Sequence, residues 1–414
     1  MTLPSLDDRR RGRAPPRLLG LLSLMTAVVA MTIDALLPAL DAIATDLAFH
    51  HPNDRQWLIM AVLAGLGLGQ PLFGILADAL GRKPVVALGW AIYLAGTGLC
   101  LAAEGQATML AGRALQGLGA AGPRVVAVVI LRDLYEGRPM ARMLSLVMTI
   151  FIAVPVLAPL LGQGIEDLGG WRAIFWAYLA MALGAALWYL ATVPETLAPE
   201  ARRPLSFRPL LRALAEIFAT RSTMLHTAAA VCVFVPFLTY LATAQQVLEE
   251  LYGLGTLFPF AFAGLALAFA AGSFLNSRLV MAFGMRRPSF AAALGLVTVG
   301  AVGTAIDATL AGLPSLWLFL GLMATAFLGI TALFANLQAL ALQPLGHLAG
   351  TASAVVMSLT TLGATAGAAF VASRFDGSVG PLFWSMLGGG ASGTVFIALA
   401  ARVSGPERIR ASRQ

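Results

Sequence analysis

The chain has 414 residues, of which 59% are hydrophobic and 11% are charged. A soluble domain carries roughly a quarter of its residues as Asp, Glu, Lys and Arg, so the composition excludes a soluble protein and indicates a polytopic membrane protein. The net charge of +7 does not indicate nucleic-acid binding, because the basic residues lie in short breaks between apolar stretches.

The chain begins with MTLPSLDDRRRGRAPPRLLG, which resembles the basic start of a signal peptide. The apolar run behind it is longer than a signal core and ends without a small-residue cleavage site. Residues 1–17 are therefore predicted to form a basic cytoplasmic tail in front of a retained first span.

The apolar stretches that follow are long enough to cross a bilayer, at about 20 residues or more per crossing. Alternate breaks between them are rich in Arg, while the others hold acids or few charges, and this pattern predicts cytoplasmic termini. The breaks divide the chain into twelve predicted spans with approximate cores at residues 18–43, 56–79, 84–103, 107–131, 142–165, 172–193, 223–248, 256–282, 288–307, 313–342, 348–373 and 380–402.

Two pairs of segments suggest an internal repeat with an offset of about half the chain. GILADALGRKP at 74–84 is echoed by FGMRRP at 283–288, and MLSLVMT at 143–149 by SAVVMSL at 353–359. The predicted fold is an all-α polytopic membrane protein with two pseudo-symmetric six-helix bundles. The predicted divisions are the tail at 1–17, the bundles at 18–193 and 222–403, the linker at 194–221 and the tail at 404–414.

Several motifs in this order resemble one family of transporters. GILADALGRKP resembles the loop signature of the major facilitator superfamily, and LAGRALQGLGAAG at 110–122 resembles its fourth-span motif. AVPVLAPLLGQG at 153–164 resembles the fifth-span motif of drug/proton antiporters. With DALLPALDAIATDL, RDLYEG and GWRAIFW, the chain resembles the bicyclomycin-resistance type of twelve-span drug efflux proteins.

This resemblance implies a secondary active transporter that exports small, largely apolar drugs or metabolites by proton antiport. The two halves would rock about a central site by alternating access. It implies a monomer in the bacterial cytoplasmic (inner) membrane, with no cofactor and the proton gradient as energy source. The expected partners are the substrate, protons and the lipid bilayer, with no nucleic acid.

Asp34 and Arg113 are charged residues inside predicted spans, where a charge is costly and usually functional. Counting 1.5 Å per residue from the two span ends puts both in the outer half of the bilayer, so they are predicted to face each other. Burial favours a protonated carboxyl and a nearby guanidinium an ionised one, so a changing distance would couple transport to protons. The alternative is a static ion pair, or an Asp34 carboxyl bonded to a neighbouring helix.

The basic loop of the N-terminal half is predicted to gate transport. Asp78 and Arg82 are four residues apart and can pair on one helix face, and Arg82 can also reach Asp133. Gly74 and Gly81 belong to the same signature. The resemblance implies that Asp78 approaches the start of the eleventh span near Gly350 and locks the outward-facing state. The alternative is a basic loop that only sets topology.

Pro38 and the fifth span are predicted to provide flexible contacts. Pro38 cannot donate to the carbonyl of Asp34, which leaves a weak point one turn beyond the acid. The fifth-span residues predicted to make close, bendable contacts with a neighbour are Pro155, Pro159, Gly162 and Gly164. Ordinary small-residue packing is the alternative.

Polar residues on apolar helices are the candidates for a substrate cavity. Arg124 lies three turns from Arg113 and is predicted to face the same side. The other candidates, each of which could instead form an inter-helix hydrogen bond, are Gln70, Gln116, Tyr240, Gln245, Asn336 and Gln338.

Other function classes find little support. A GxxxxGK[ST] nucleotide loop is absent from the sequence, and its histidines show no metal-ligand spacing, so ATP drive and enzymatic activity are not expected. An uptake carrier or passive facilitator of a metabolite on the same fold remains the alternative function. The substrate itself cannot be identified from the residues.

Overall fold

A computed structural model of the chain describes residues 15–135, 137–202, 207–309 and 313–411. The predicted N-terminal tail lies outside the described residues except for 15–17, as does part of the predicted linker, residues 203–206. Of the predicted C-terminal tail, the backbone is described as far as residue 411. Every regular element in these ranges is helical.

The chain divides into two compact units, Met1–Leu205 and Ser206–Gln414. The first unit begins with a span made of two short helices and ends with a long, kinked one. Its helices are α1 (Pro16–Asp34), α2 (Leu40–Asp46), α3 (Trp57–Leu80), α4 (Arg82–Leu101), α5 (Gln106–Leu134) and α6 (Gly137–Thr192).

The second unit begins with a short helix where the sequence predicted only a linker. Its apolar side chains Leu214 and Ile217 pack against Leu345 and Val355 of the same unit. The helices of this unit are α7 (Phe207–Ala219), α8 (Arg221–Gln245), α9 (Phe258–Phe283), α10 (Arg286–Thr309), α11 (Leu316–Leu342), α12 (Ala349–Ala372) and α13 (Gly380–Ala411).

Ten helical stretches among the described residues are long and apolar enough to cross a membrane. Two of them, Ala153–Thr192 and Leu316–Ala372, have 40 and 57 residues, or about 60 and 85 Å at 1.5 Å per residue, against a hydrocarbon core of about 30 Å. Both are interrupted. The first is kinked at Gly170, which has a φ of +68°, and the second contains the 3₁₀ turn Gln343–Leu348.

Glycines let α5 pack closely between α3 and α4 in the first unit. A Cβ atom on Gly117 would lie 1.9 Å from the carbonyl oxygen of Val62 on α3, and one on Gly119 would lie 2.3 Å from the backbone nitrogen of Tyr93 on α4. The helix backbones therefore approach each other directly. This close packing excludes water from the polar side chains that α5 carries between the glycines.

Candidate functional site

The first span is interrupted near its C-terminal end. Helix α1 ends at Asp34, the chain passes through the 3₁₀ turn Leu37–Ala39, and α2 resumes at Leu40. Pro38 occupies the middle of that turn and has no N–H to donate to the carbonyl of Asp34. The break thus coincides with the weak point that the sequence indicates.

The carboxyl group of Asp34 sits at this break and is only 6% exposed. No hydrogen bond or ion pair to it is present within the described ranges of the chain. It also lies at the C-terminal end of α1, where the helix dipole is negative. Ionising a carboxyl there costs free energy, because the residue is largely buried and no cation of the described residues pairs with it.

Arg113 is fully buried on α5 and bonds neutral oxygen atoms. Its Nη2 donates to the carbonyl oxygen of Thr32 at 2.9 Å, its Nε to that of Leu58 at 3.0 Å, and its Nη1 to Oε1 of Gln116 at 2.8 Å. An ion pair between Arg113 and Asp34, which the sequence left open as the static alternative, is not formed in this structure. Thr32 lies in the last turn of α1, where carbonyls lack helical partners, so the guanidinium caps the helix end.

Two tyrosines from other spans hold the same end of α1. The Thr32 hydroxyl donates to the carbonyl of Val28 at 2.7 Å and lies 2.6 Å from the hydroxyl of Tyr93 on α4, which therefore donates to it. Tyr178 on α6 donates to the carbonyl of Met31 at 2.9 Å. Side chains from α4, α5 and α6 thus meet at the end of α1 next to Asp34.

Gln116 and Arg124 differ in their surroundings although both lie on α5. Gln116 is fully buried and donates from Nε2 to the hydroxyl of Thr97 at 2.9 Å while its Oε1 accepts from Arg113. It bridges helices, which is the alternative that the sequence left open. Arg124 follows Pro123 and is half-buried.

The fifth span touches the break at one of its two singled-out glycines. A Cβ atom on Gly162 would lie 1.9 Å from the carbonyl oxygen of Ala35, the residue after Asp34. The prediction of close contact is wrong for Gly164, because a Cβ there would meet no described atom within 4 Å. Pro155 and Pro159 lie in the same helix, half-buried and buried respectively.

The basic loop forms what we call the Arg82 cluster, made of Asp78, Arg82, Asp133 and Glu195. Arg82 donates from Nε and Nη2 to the two carboxylate oxygens of Asp133 at 2.9 and 3.2 Å, and from Nη1 to Asp78 at 3.0 Å. Gly81 precedes it with a φ of +104°, a left-handed backbone conformation that favours glycine. Gly74 lies one turn before Asp78 on α3.

Glu195 was missed by the sequence reasoning, which assigned it to the linker. Its carboxylate oxygens accept from the backbone N–H groups of Arg82 at 2.9 Å and Lys83 at 3.0 Å. Burial raises the pKa of this carboxyl, but the backbone donors of Leu197, Arg82 and Lys83 outweigh burial and hold it below its ordinary value. The signal available in the sequence was Gly81, which directly precedes α4, because the backbone N–H groups in the first turn of a helix need hydrogen-bond acceptors.

A second charged contact, at the other end of the first unit, was also missed. Asp46 accepts from the indole Nε1 of Trp171 at 3.1 Å and from Nη1 of Arg172 at 2.7 Å, and the guanidinium of Arg172 stacks on Trp171 at 4.0 Å. Both donors, Trp171 and Arg172, belong to the motif GWRAIFW, from which no ionic contact was predicted. This contact ties the end of the first span to the start of the sixth.

Tyr240 belongs to an aromatic cluster within the second unit. Its ring lies 5.8 Å from that of Phe262 and 5.0 Å from that of Phe327. Phe234 and Phe334 stack at 4.4 Å. The aromatic cluster, which spans α8, α9 and α11, consists of Phe234, Phe237, Tyr240, Phe262, Phe269, Phe327 and Phe334.

The remaining predicted cavity residues separate into two groups. Asn336 exchanges two amide hydrogen bonds with Asn276, at 3.0 and 2.9 Å, and so joins α11 to α9. By contrast, Oε1 of buried Gln70 and Nε2 of Gln338 have no hydrogen-bond partner in the described part of the chain. Gln245 is buried at the end of α8, before the π-helical turn Gln246–Leu251.

The chain matches the Major Facilitator Superfamily over residues 22–368. It is 39% identical over 166 residues to Multidrug resistance protein MdtL of Escherichia fergusonii and of Shigella flexneri, a match that covers 40% of this chain and 42% of those proteins. The chain therefore matches about two fifths of the length of these curated relatives.

Solved transporter structures share the fold. The human organic anion transporter MFSD10 (TETRAN) superposes with a TM-score of 0.64 at 19% identity, covering 94% of this chain and 99% of that one. The xylose transporter XylE of E. coli gives a TM-score of 0.71 at 13% identity, covering 93% and 97%. At such identities the likeness shows the fold alone. Because the family match extends over most of its apolar helices, the chain belongs to the Major Facilitator Superfamily and is a multi-pass membrane protein.

Proposed function

We propose that this transporter is a proton-coupled exporter of small, largely apolar drugs or metabolites, of the bicyclomycin-resistance type, working by alternating access. The observation that carries the proposal is the buried Asp34 carboxyl, which has no bonded partner in the described residues and lies beside a helix break. The similarity to the multidrug resistance protein MdtL supports export of drug-like molecules.

The proposed topology has twelve spans and cytoplasmic termini in a bacterial inner membrane. Dividing the two over-long stretches at Gly170 and at Gln343–Leu348 turns the ten helical stretches into twelve. The Arg-rich breaks then lie in the cytoplasm. We propose that the protein works as a monomer.

In the proposed mechanism, Asp34 takes up and releases the transported proton. A protonated carboxyl gains an O–H donor, which can bond a carbonyl that the break leaves without a helical partner. The ionised carboxylate has no donor and is repelled by those carbonyls. Protonation would therefore change the shape of the segment Ala35–Ala39, while Arg113 and Tyr178 hold the end of α1 in place.

Other residues are given supporting roles. The Arg82 cluster is proposed to stabilise one transport state at the cytoplasmic side, because its guanidinium holds two helix ends through two carboxylates. We propose that Gln70 and Gln338, with their unused amide atoms, contact the substrate. Arg124, Tyr240 and Gln245 are also proposed to contact the substrate.

Transport by purified protein in proteoliposomes tests this proposal. Ethidium and chloramphenicol are suitable probes, and their movement is measured with an imposed pH gradient of either sign. We expect flux to reverse when the gradient is reversed. Asp34→Asn cannot exchange the proton, so its gradient-driven flux should fall to that of protein-free vesicles.

Glu104→Gln is the matched control, since it removes an exposed carboxylate from a loop of the same unit. It should transport like the unchanged protein. Gradient-dependent flux that survives in folded Asp34→Asn would contradict the proposal. Flux that does not depend on the pH gradient would indicate a passive facilitator.

A further inference from the structure

A cavity in the second unit lies apart from the residues proposed for transport. It encloses about 430 Å³ and opens among α8, α10, α11 and α13. Its walls include Arg286, Arg287 and His226 at one end. Apolar residues of α10, α11 and α13 form the rest.

The two arginines are the first residues of α10, directly after the chain reverses at Gly284, which has a φ of +71°. Both side chains are exposed. Within the described ranges no acidic side chain pairs with either guanidinium. Two unpaired positive charges at the end of a span attract an anionic group.

His226 adds a buried polar side chain, which is only 3% exposed. Its Nδ1 lies 2.7 Å from the carbonyl oxygen of Ser222, one turn earlier, and because a carbonyl only accepts, Nδ1 is the donor. Nε2 has no hydrogen-bond partner in the described residues. This nitrogen is therefore available to an oxygen atom of a bound molecule.

The rest of the cavity wall is apolar and reaches into the membrane region. Phe290 and Leu294 are 41% and 45% exposed on a helix long and apolar enough to cross a membrane, so their side chains are open to an acyl chain. Ile397 and Ala398 of α13 line the same cavity. Leu294 lies eight residues beyond Arg286, which is about 12 Å along the helix.

We propose that this cavity binds an anionic phospholipid, with its phosphate on Arg286, Arg287 and His226 and an acyl chain along Phe290, Leu294 and Ala398. The basic end matches a headgroup and the apolar wall matches the first part of a chain. A free anion would leave the apolar wall unused. A zwitterionic lipid would leave the arginine charges without a net counter-charge.

Native mass spectrometry of the purified full-length protein tests this site. The protein is mixed with equal amounts of phosphatidylglycerol and phosphatidylcholine that carry the same acyl chains. We expect preferential retention of phosphatidylglycerol. The double variant Arg286→Gln/Arg287→Gln should lower that retention about tenfold or more, because each basic residue near a membrane surface contributes to anionic-lipid binding.

The matched control is Arg278→Gln/Arg374→Gln, which also removes two positive charges from the second unit. Those arginines stack on Phe274 and Phe370 at 4.7 and 4.8 Å, away from the cavity. This control should retain phosphatidylglycerol like the unchanged protein. Equal losses in the two double variants would show a general charge effect and overturn the proposal.

A third variant separates a lipid from a free anion. Ala398→Trp fills the apolar wall and leaves both arginines in place, so it should also lose retained phosphatidylglycerol. Unchanged retention in Ala398→Trp would overturn the proposal. Equal retention of phosphatidylcholine, or competition by millimolar inorganic phosphate that removes the bound lipid, would overturn it as well.

Discussion

The interiors of the two units are polar in different ways. The first unit buries a carboxyl, Asp34, and a guanidinium, Arg113, which bonds backbone and amide oxygens. The second unit contains the aromatic cluster, of which Tyr240, Phe262 and Phe327 are buried. It also buries a pair of neutral amides, Asn276 and Asn336. These buried polar groups therefore differ in kind, being ionisable side chains in the first unit and neutral amides in the second.

The difference teaches where ionic chemistry can be placed. A buried charge is tolerated when fixed neutral dipoles surround it, and the broken first span provides such dipoles as carbonyls at a helix end. In the second unit, the helices that carry the aromatic cluster offer broad apolar surfaces. We therefore assign the proposed proton chemistry to the first unit and the proposed apolar contact with a substrate to the second.

Removing the guanidinium from the first unit should have the largest effect on stability. Arg113→Met leaves the carbonyl of Thr32 and the amide oxygen of Gln116 without a donor and the end of α1 without a cation. We expect a loss of at least about 2 kcal/mol, because each of the two buried acceptors costs about 1–3 kcal/mol and the helix-end cation contributes up to about 2 kcal/mol. Thermal unfolding in detergent measures it.

Arg278→Met controls for loss of a positive charge in the second unit, where Arg278 stacks on Phe274. Its cost should be only about 0.5–1 kcal/mol. Similar melting temperatures for Arg113→Met and Arg278→Met would contradict the special position of Arg113. Removing a positive charge would then cost the same stability in either unit.

The next largest effect should come from the contact between the fifth span and the break. Gly162→Ala places a Cβ atom against the carbonyl of Ala35, so overpacking should cost about 1–3 kcal/mol and impair transport. Gly164→Ala meets open space and should be neutral or slightly stabilising, since Ala favours helix over Gly by up to about 1 kcal/mol. Melting temperature and proteoliposome flux of both variants test the contrast, and equal behaviour would refute it.

A smaller effect is expected for the amide pair of the second unit. Asn336→Leu leaves Asn276 without its partner and should cost about 1 kcal/mol, the scale measured for hydrogen bonds between membrane helices. The double variant Asn276→Leu/Asn336→Leu removes both polar groups and should regain most of that loss. A double-mutant cycle of melting temperatures measures the coupling. Additive losses would mean that the amides do not act as a pair.

The smallest effect should be the pH dependence contributed by Glu195. Its pKa in the folded protein lies below its ordinary value of 4.5, so its stabilisation is present above pH 4.5 and is lost as pH falls through the lower, folded value. The melting temperature of the unchanged protein should therefore fall more steeply on acidification than that of Glu195→Gln. Glu200→Gln, an exposed acid of the same segment, should leave the slope unchanged.

The contacts of the Arg82 cluster illustrate what local sequence spacing can predict. Asp78 and Arg82 are four residues apart, and helix geometry alone places such side chains together. Glu195 lies more than a hundred residues further along, and no local spacing connects it to the same helix start. The break at Pro38 was predictable for the same local reason, since proline lacks the N–H that the helix requires.

The sequence by itself determined the membrane class, the apolar helices and the order of the family motifs, because these depend on composition and short-range spacing. Only the tertiary structure decided the partners of buried polar groups. Equal depth in the bilayer suggested that Arg113 pairs with Asp34, but depth says nothing about rotation around a helix axis. Packing of α4, α5 and α6 instead turned the guanidinium toward the carbonyl of Thr32 and left the carboxyl of Asp34 beside the break.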